Sequence, residues 1–296
     1  MRSGIVFLVG HAATGPTGLT GQSQAFFNTH ALGTSEEVSL DPFIARMEAL
    51  ANYDYVARAV SIAAEEGART VVEIGCGDGR TLRALHKSDP KLKLVGIDVA
   101  REKIVRAAEA LQAVNGHDEP GDIALIECQG EALPISSVSA DLVLILHVLH
   151  HAGDLSLLRE AARILRPGGT VFVVDISNRN PLAIFTRALW KYLPREIQRR
   201  FDREYTVDDA APPVRLLSPK ILEDAASGLG LQPKLVEDEG LFAFLFVYLL
   251  TAISALRTPL ALRLLRLLCS IEQWLVRQPL ARNLAVGIAR TWTLSI

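Results

Sequence analysis

The 296-residue chain lacks a surplus of either charge. Thirty-one lysines and arginines face 33 aspartates and glutamates, a net of −2. No global basic excess marks a nucleic-acid partner. Sulfur is scarce as well. Cys76, Cys128 and Cys269 are odd in number and far apart, which excludes a disulfide framework and a cysteine metal site and points to a reducing compartment. The start of the chain has no long apolar run. Ile5 to Val9 falls short of the roughly 7–15 apolar residues of a secretory segment, so a cytoplasmic location is expected. Residues 1–38 include the Gly/Thr-rich GPTGLTGQS and are expected to be flexible. There is no internal repeat.

What the chain has is apolar residues, 49% of the total, arranged in alternating patterns. Ser39 to Glu66 reads as a helix stopped by Gly67. TVVEIG (70–75) is a short apolar strand, and a helix opens at Arg80. KLKLVGID (91–98) is a strand followed by a helix from Arg101. IALIECQG (123–130) and ADLVLILHVL (140–149) are strands, and a helix runs from Leu155 to Leu165. Pro167-Gly168-Gly169 turns the chain into the strand TVFVVDIS (170–177). Apolar strands alternating with helices argue an α/β domain with a doubly wound, largely parallel sheet. In such sheets a ligand lies beyond the carboxyl ends of the strands, where the strand order switches.

The first strand runs into VVEIGCGDG, with Gly75, Gly77 and Gly79 at alternate positions after Glu73. Glycine permits positive φ and close approach by a ligand, although a bare tight turn needs the same residues. The next strand ends in Asp98, nineteen residues past Gly79, where a carboxylate can accept both ribose hydroxyls. A dinucleotide loop reads G-x-G-x-x-G. Here the spacing is G-x-G-x-G, which disfavours a nicotinamide cofactor. Glu73 would sit badly against a pyrophosphate but could hold a cationic amino-acid group, directly or through water.

VVEIGCGDG, LVGIDVA, GEALPISSVSADLVLILHVLHH and LRPGGTVFVVD, in that order, resemble the class I S-adenosylmethionine-dependent methyltransferases. The quinone and sterol methyltransferases are the nearest group. The likeness covers about residues 53–177 and again 218–237. It implies a Rossmann-like seven-stranded sheet with the last strand antiparallel. It further implies that Glu73, Gly75, Cys76, Gly77 and Gly79 face the methionine part of S-adenosylmethionine, that Asp98 binds the ribose, and that Val99 packs on the adenine. The segment Gln129, Gly130, Glu131 would complete the adenine side. Many relatives carry Asp where this chain has Gln129, whose side-chain oxygen can accept the same hydrogen bond.

His147, His150 and His151 follow the fourth strand. They leave a strand rather than share a helix face as in H-E-x-x-H, so no metal site is expected. His147, at the strand tip, is the candidate base toward a methyl acceptor and a cofactor neighbour. His151 is expected to pack structurally. Two segments interrupt the alternation. Residues 180–217 carry Arg187, Lys191, Arg195, Arg199 and Arg200 and read as a solvated charged face or a lid. After the sixth strand, residues 240–280 read as a hydrophobic helical hairpin placed before the seventh strand. Its first half, 240–256, has no charge but falls short of the roughly 20 residues that span a bilayer. Its second half places Arg263, Arg266, Ser270, Gln273 and Arg277 on one side. Buried core or oligomer contact, membrane dock and transmembrane hairpin all stay open.

The expectation is a methyltransferase with a hydrophobic acceptor: an isoprenoid, quinone, sterol or lipid-like molecule. Its partners would be that acceptor, with a membrane surface or a second copy as further candidates and no nucleic acid. The alternative is a non-catalytic cofactor-binding or assembly protein on the same fold.

Overall fold

The computed structural model describes residues 6–9, 55–115, 122–130, 132–152, 154–181, 217–239, 258–276 and 287–295, together with 184, 192, 278 and 285. In chain order the elements are β1 (Val6–Val9), α1 (Tyr55–Glu65), β2 (Thr70–Ile74), α2 (Arg80–Ser88), β3 (Lys93–Asp98), α3 (Arg101–Asn115), β4 (Ile123–Glu127) and β5 (Ala140–Leu146). A 3-10 turn (Leu149–His151) follows, then α4 (Ser156–Ile164), β6 (Leu165–Ile176), α5 (Pro219–Gly228), β7 (Leu231–Glu239), α6 (Pro259–Val276) and β8 (Gly287–Leu294).

All eight strands join one sheet in the order β1-β4-β3-β2-β5-β6-β8-β7. β8 runs antiparallel to β6 and β7, and the remaining pairs are parallel. The doubly wound sheet with its antiparallel last strand is as the resemblance implied. One strand is additional: Val6–Val9, within the segment expected to be flexible, pairs with β4 from Ala124 to Glu127. The order switches between β2 and β5, because the chain adds β3 and β4 on one side and β5 and β6 on the other.

Two apolar layers follow from the two-residue period of the strands. On β5, Leu142, Leu144 and Leu146 face one layer with α1, α2 and α3. Val143 and Ile145 face the other, with Leu157, Leu158, Ala161 and Ile164 of α4 and Leu222 and Ala226 of α5. Burial on both faces is what makes these strands continuously apolar. The Pro167-Gly168-Gly169 turn lies inside β6 rather than before it. Leu165 already pairs with Ala140, and the register shifts before Leu142 meets Thr170, a bulge that admits Gly168 at φ 79°.

Polar clamps fix the ends. At the amino end of the sheet, Asp141 Oδ2 accepts from the backbone N–H of Arg69 and Thr70 at 2.9 and 2.8 Å, and Oδ1 from Arg166 at 2.7 Å. Beside α4, Arg163 donates to the carbonyls of Leu133 and Ile135, while Glu160 accepts from the Leu133 N–H. The loop after β4 is thereby pinned. In the β7–β8 pair Arg290, 1% exposed, bonds Asp238 at 2.8 Å and Glu223 at 3.0 Å.

Both insertions open on one edge. Ser177 bridges Leu217, so residues 178–216 leave and return beside the carboxyl end of β6. Glu239 pairs with Gly287, which lies next to Ile176. The segment carrying α6 therefore also leaves and returns at that edge. The basic positions from Arg187 to Arg200 and the first half of the hairpin, 240–257, lie outside the described residues. No helix among the described residues is long and apolar enough to cross a membrane.

Candidate active site

The carboxyl ends of β2, β3, β4 and β5 lie side by side: Ile74 pairs with Ile97 and with Ile145, and Asp98 with Glu127. Glu73, the glycine loop, Asp98, Val99, Gln129, Gly130 and His147 are thus gathered at one edge. Glu131 lies outside the described residues.

The glycine loop is tied to β3. The N–H groups of Gly75 and Cys76 both donate to the Ile97 carbonyl, at 2.7 and 2.8 Å. The Gly77 N–H donates to Asp98 Oδ2 at 2.8 Å, and the Ala100 N–H to Oδ1 at 2.9 Å. Each Asp98 oxygen keeps a second lone pair for a diol. All three glycines have positive φ, but they are needed for different reasons. A β-carbon on Gly75 would lie 2.2 Å from Val148 Cγ2, so that glycine is required by packing. A β-carbon on Gly77 would meet nothing within 4 Å. The backbone of Gly77 borders open space beside a carboxylate.

Glu73 is 3% exposed, and its Oε2 has no hydrogen-bond partner among the described residues. Burial pushes its carboxyl from an ordinary 4.5 up to about 8. Thr81 opposes this with a hydrogen bond, and the nearby Asp98 and Asp78 add to the rise. A buried acid held neutral beside two carboxylates is a ready site for a positive charge. Burial also raises the Cys76 thiol well above its ordinary value, which leaves it protonated and unreactive.

His147 adopts φ 56°, unusual for a residue other than glycine. Its N–H donates to the Val174 carbonyl at 2.7 Å. The ring is open to solvent on one side and meets Tyr55 edge-on, with centroids 5.1 Å apart. The protein packed around the rest of it lowers its pKa, against the pull of Asp175 and with the push of His150. A neutral imidazole at neutral pH follows.

The sequence reading missed three partners. Tyr55, at the start of α1, packs on His147 with Arg80 5.9 Å above its own ring. Asp175 accepts from His150 Nδ1 at 2.7 Å and from the backbone N–H of His150 and Ile176. The fully packed histidine is therefore His150, 1% exposed, and not His151. His151 is half-buried and lies over it, with ring centroids 3.9 Å apart. Asp175 could have been suspected, since it is a lone acid ending an apolar strand, as Asp98 is.

Residues 72–173 match the family model described as a methyltransferase domain. An uncharacterised protein of a Streptomyces fradiae transposon is 34% identical over 142 residues, 46% of this chain and 36% of that one. A ubiquinone/menaquinone biosynthesis C-methyltransferase of Syntrophotalea carbinolica is 26% identical over 118 residues, 39% of this chain and 48% of that one. The chain thus spans between about a third and a half of the length of these curated relatives. Among solved structures, geranyl diphosphate C-methyltransferase of Streptomyces coelicolor superimposes with a TM-score of 0.59 over 95% of this chain and 99% of that one, at 13% identity. That likeness concerns the fold. The similarity to the methyltransferase-domain family thus rests on residues 72–173, about a third of the chain.

Proposed function

We propose that the protein is an S-adenosylmethionine-dependent methyltransferase acting on a hydrophobic acceptor of isoprenoid, quinone, sterol or lipid-like type. The observation that carries the cofactor is the open space over Gly77, whose N–H holds Asp98, together with the buried, half-satisfied Glu73 at the end of the strand that feeds the loop. When bound, S-adenosylmethionine supplies a methyl group already activated by its sulfonium. Asp98 accepts the two ribose hydroxyls with the lone pairs that the loop leaves free. Glu73 faces the ammonium of the methionine part, through water where direct reach fails. Gln129 accepts from the adenine amino group, and Val99 packs on its face. Methyl transfer depends chiefly on alignment. His147, neutral and partly open to the cleft, takes a proton where the acceptor must lose one.

The hydrophobic acceptor is supported by two relatives. One is named for ubiquinone and menaquinone biosynthesis, and the other was solved with geranyl diphosphate and S-adenosylhomocysteine. Both insertions open on the site edge, which suits a lid over such an acceptor.

The test is a binding titration with S-adenosylmethionine, S-adenosylhomocysteine and NADH, followed by transfer of a labelled methyl group to a panel of isoprenoid and quinone acceptors. The first two ligands should bind and NADH should not. Asp98→Asn should weaken the first two by at least about tenfold, because each charge-assisted hydrogen bond to a ribose hydroxyl contributes about 1.5–3 kcal/mol. Binding of NADH alone would overturn the cofactor assignment. Cofactor binding without transfer to any acceptor would favour a scaffold role.

A further inference from the structure

The helix α6 has three faces. Ala261, Leu265 and Glu272 are buried against the protein, at 7%, 0% and 2% exposure. Leu260, Leu264, Leu267, Ile271 and Trp274 recur every three or four residues and are 40–65% exposed. At 100° per residue these five fall within one narrow stripe, about a third of a turn from the buried face. Arg263 and Arg266 are exposed on the far side of that stripe. Scattered exposed apolar side chains are ordinary, but five in one line along a single helix are not.

We propose that the apolar stripe of α6 is a docking face for an anionic lipid surface. Charge decides the occupant. The charged residues within α6 are Arg263, Arg266 and Glu272, and Glu272 is buried. The exposed charge of the helix is therefore positive only. A second copy of the helix would offer those arginines no exposed acid of its own, whereas anionic headgroups offer phosphates. The lateral placement also fits. Arginines beside an apolar stripe reach up to headgroups while the leucines enter the acyl boundary. Trp274, 62% exposed near the carboxyl end, is of the residue type that settles at that boundary. The helix lies in the surface rather than crossing it, in keeping with its length and hydropathy. Because the segment carrying α6 leaves and rejoins the sheet at the site edge, docking turns that edge toward the lipid. The gain in function rests on the methyltransferase reading, but the docking does not.

Co-sedimentation of the full chain with vesicles tests it. The protein should pellet with phosphatidylcholine–phosphatidylglycerol vesicles, stay in the supernatant with phosphatidylcholine alone, and be released severalfold by high salt. Leu264→Asp with Leu267→Asp should abolish pelleting. Arg263→Glu with Arg266→Glu should reduce it at least about tenfold, from repulsion at two sites. Both variants should keep wild-type thermal unfolding, because all four side chains are exposed. Sedimentation equilibrium is run alongside. A wild type that never pellets overturns the proposal, as does pelleting untouched by the Leu264/Leu267 change. A dimer that the same change dissociates assigns the stripe to a second copy instead. Vesicle binding without methyl transfer would leave the docking standing and the enzymatic reading in doubt.

Discussion

The neighbouring glycines of one loop separate folding from binding. Gly75 has Val148 where a side chain would go, while Gly77 has open space. Gly75→Ala must displace backbone or Val148 and should cost several kcal/mol of stability. Gly77→Ala suffers only the strain of φ 53°, about 1–2 kcal/mol, yet its methyl group enters the space proposed for the cofactor. Thermal melts of the ligand-free variants, set beside cofactor titrations, should therefore rank them oppositely. Gly75→Ala should lose more stability, and Gly77→Ala should lose far more affinity than its stability loss explains. Equal affinity in Gly77→Ala and wild type would return the loop to a simple tight turn.

Glu73 makes the same site sensitive to pH. Its folded pKa of about 8 lies above its ordinary 4.5. Across that interval the folded protein holds a proton that the unfolded chain has released. Stability of the ligand-free protein therefore falls as pH rises from about 4.5 to about 8, by a few kcal/mol in all. A cofactor ammonium favours the ionised carboxylate. Binding below pH 8 should then release a proton, and affinity should climb with pH up to about 8. Calorimetric titration at neutral pH in buffers of different ionisation heat measures this directly. Glu73→Gln should remove the buffer dependence. A wild-type heat independent of buffer would mean that Glu73 does not meet the ammonium.

At the scale of elements, the apolar strands and the loop between β2 and α2 could be read from the sequence because their signals are local. Period-two burial, a glycine run and an acid at a strand end each lie within a few residues. Pairings across the fold could not be read that way. His150 meets Asp175 only because β5 and β6 are neighbours, and nothing in HVLHH favours His150 over His151. Tyr55 meets His147 only because α1 is placed beside the end of β5, which no local pattern announces. Val6–Val9 was too short to declare its pairing with β4. Arg290 stands in the last strand, and its acids, Asp238 and Glu223, lie 52 and 67 residues upstream. That knot carries its own prediction. Arg290→Met leaves Asp238 buried without its cation and should cost about 3–5 kcal/mol, measured by denaturant unfolding. Cofactor affinity below the melting range should be unchanged, because the knot lies beyond β6 from the glycine loop. A loss of affinity with stability intact would place Arg290 in the site's electrostatics instead.

For the whole molecule, one sheet edge receives both segments that interrupt the alternating pattern after β6. The glycine loop, Asp98 and His147 sit there, residues 178–216 leave and return there, and so does the segment carrying α6. A cofactor site needs the ends of β2 to β5, none of which belongs to that last segment. The two functions should therefore be separable by surgery. Glu239 and Gly287 are register partners in an antiparallel pair, so a short turn of Asn-Gly type can join β7 directly to β8. The shortened chain loses the cover that Leu265 and Ala261 give, about 3 kcal/mol or somewhat more. It keeps every residue of the proposed cofactor site. It should bind S-adenosylmethionine with wild-type affinity and transfer little or no methyl to a hydrophobic acceptor presented in vesicles. Calorimetry reads the first outcome and labelled-methyl transfer the second. Full transfer by the shortened chain would mean that the acceptor reaches the site without the α6 segment, leaving residues 178–216 as the remaining entrance.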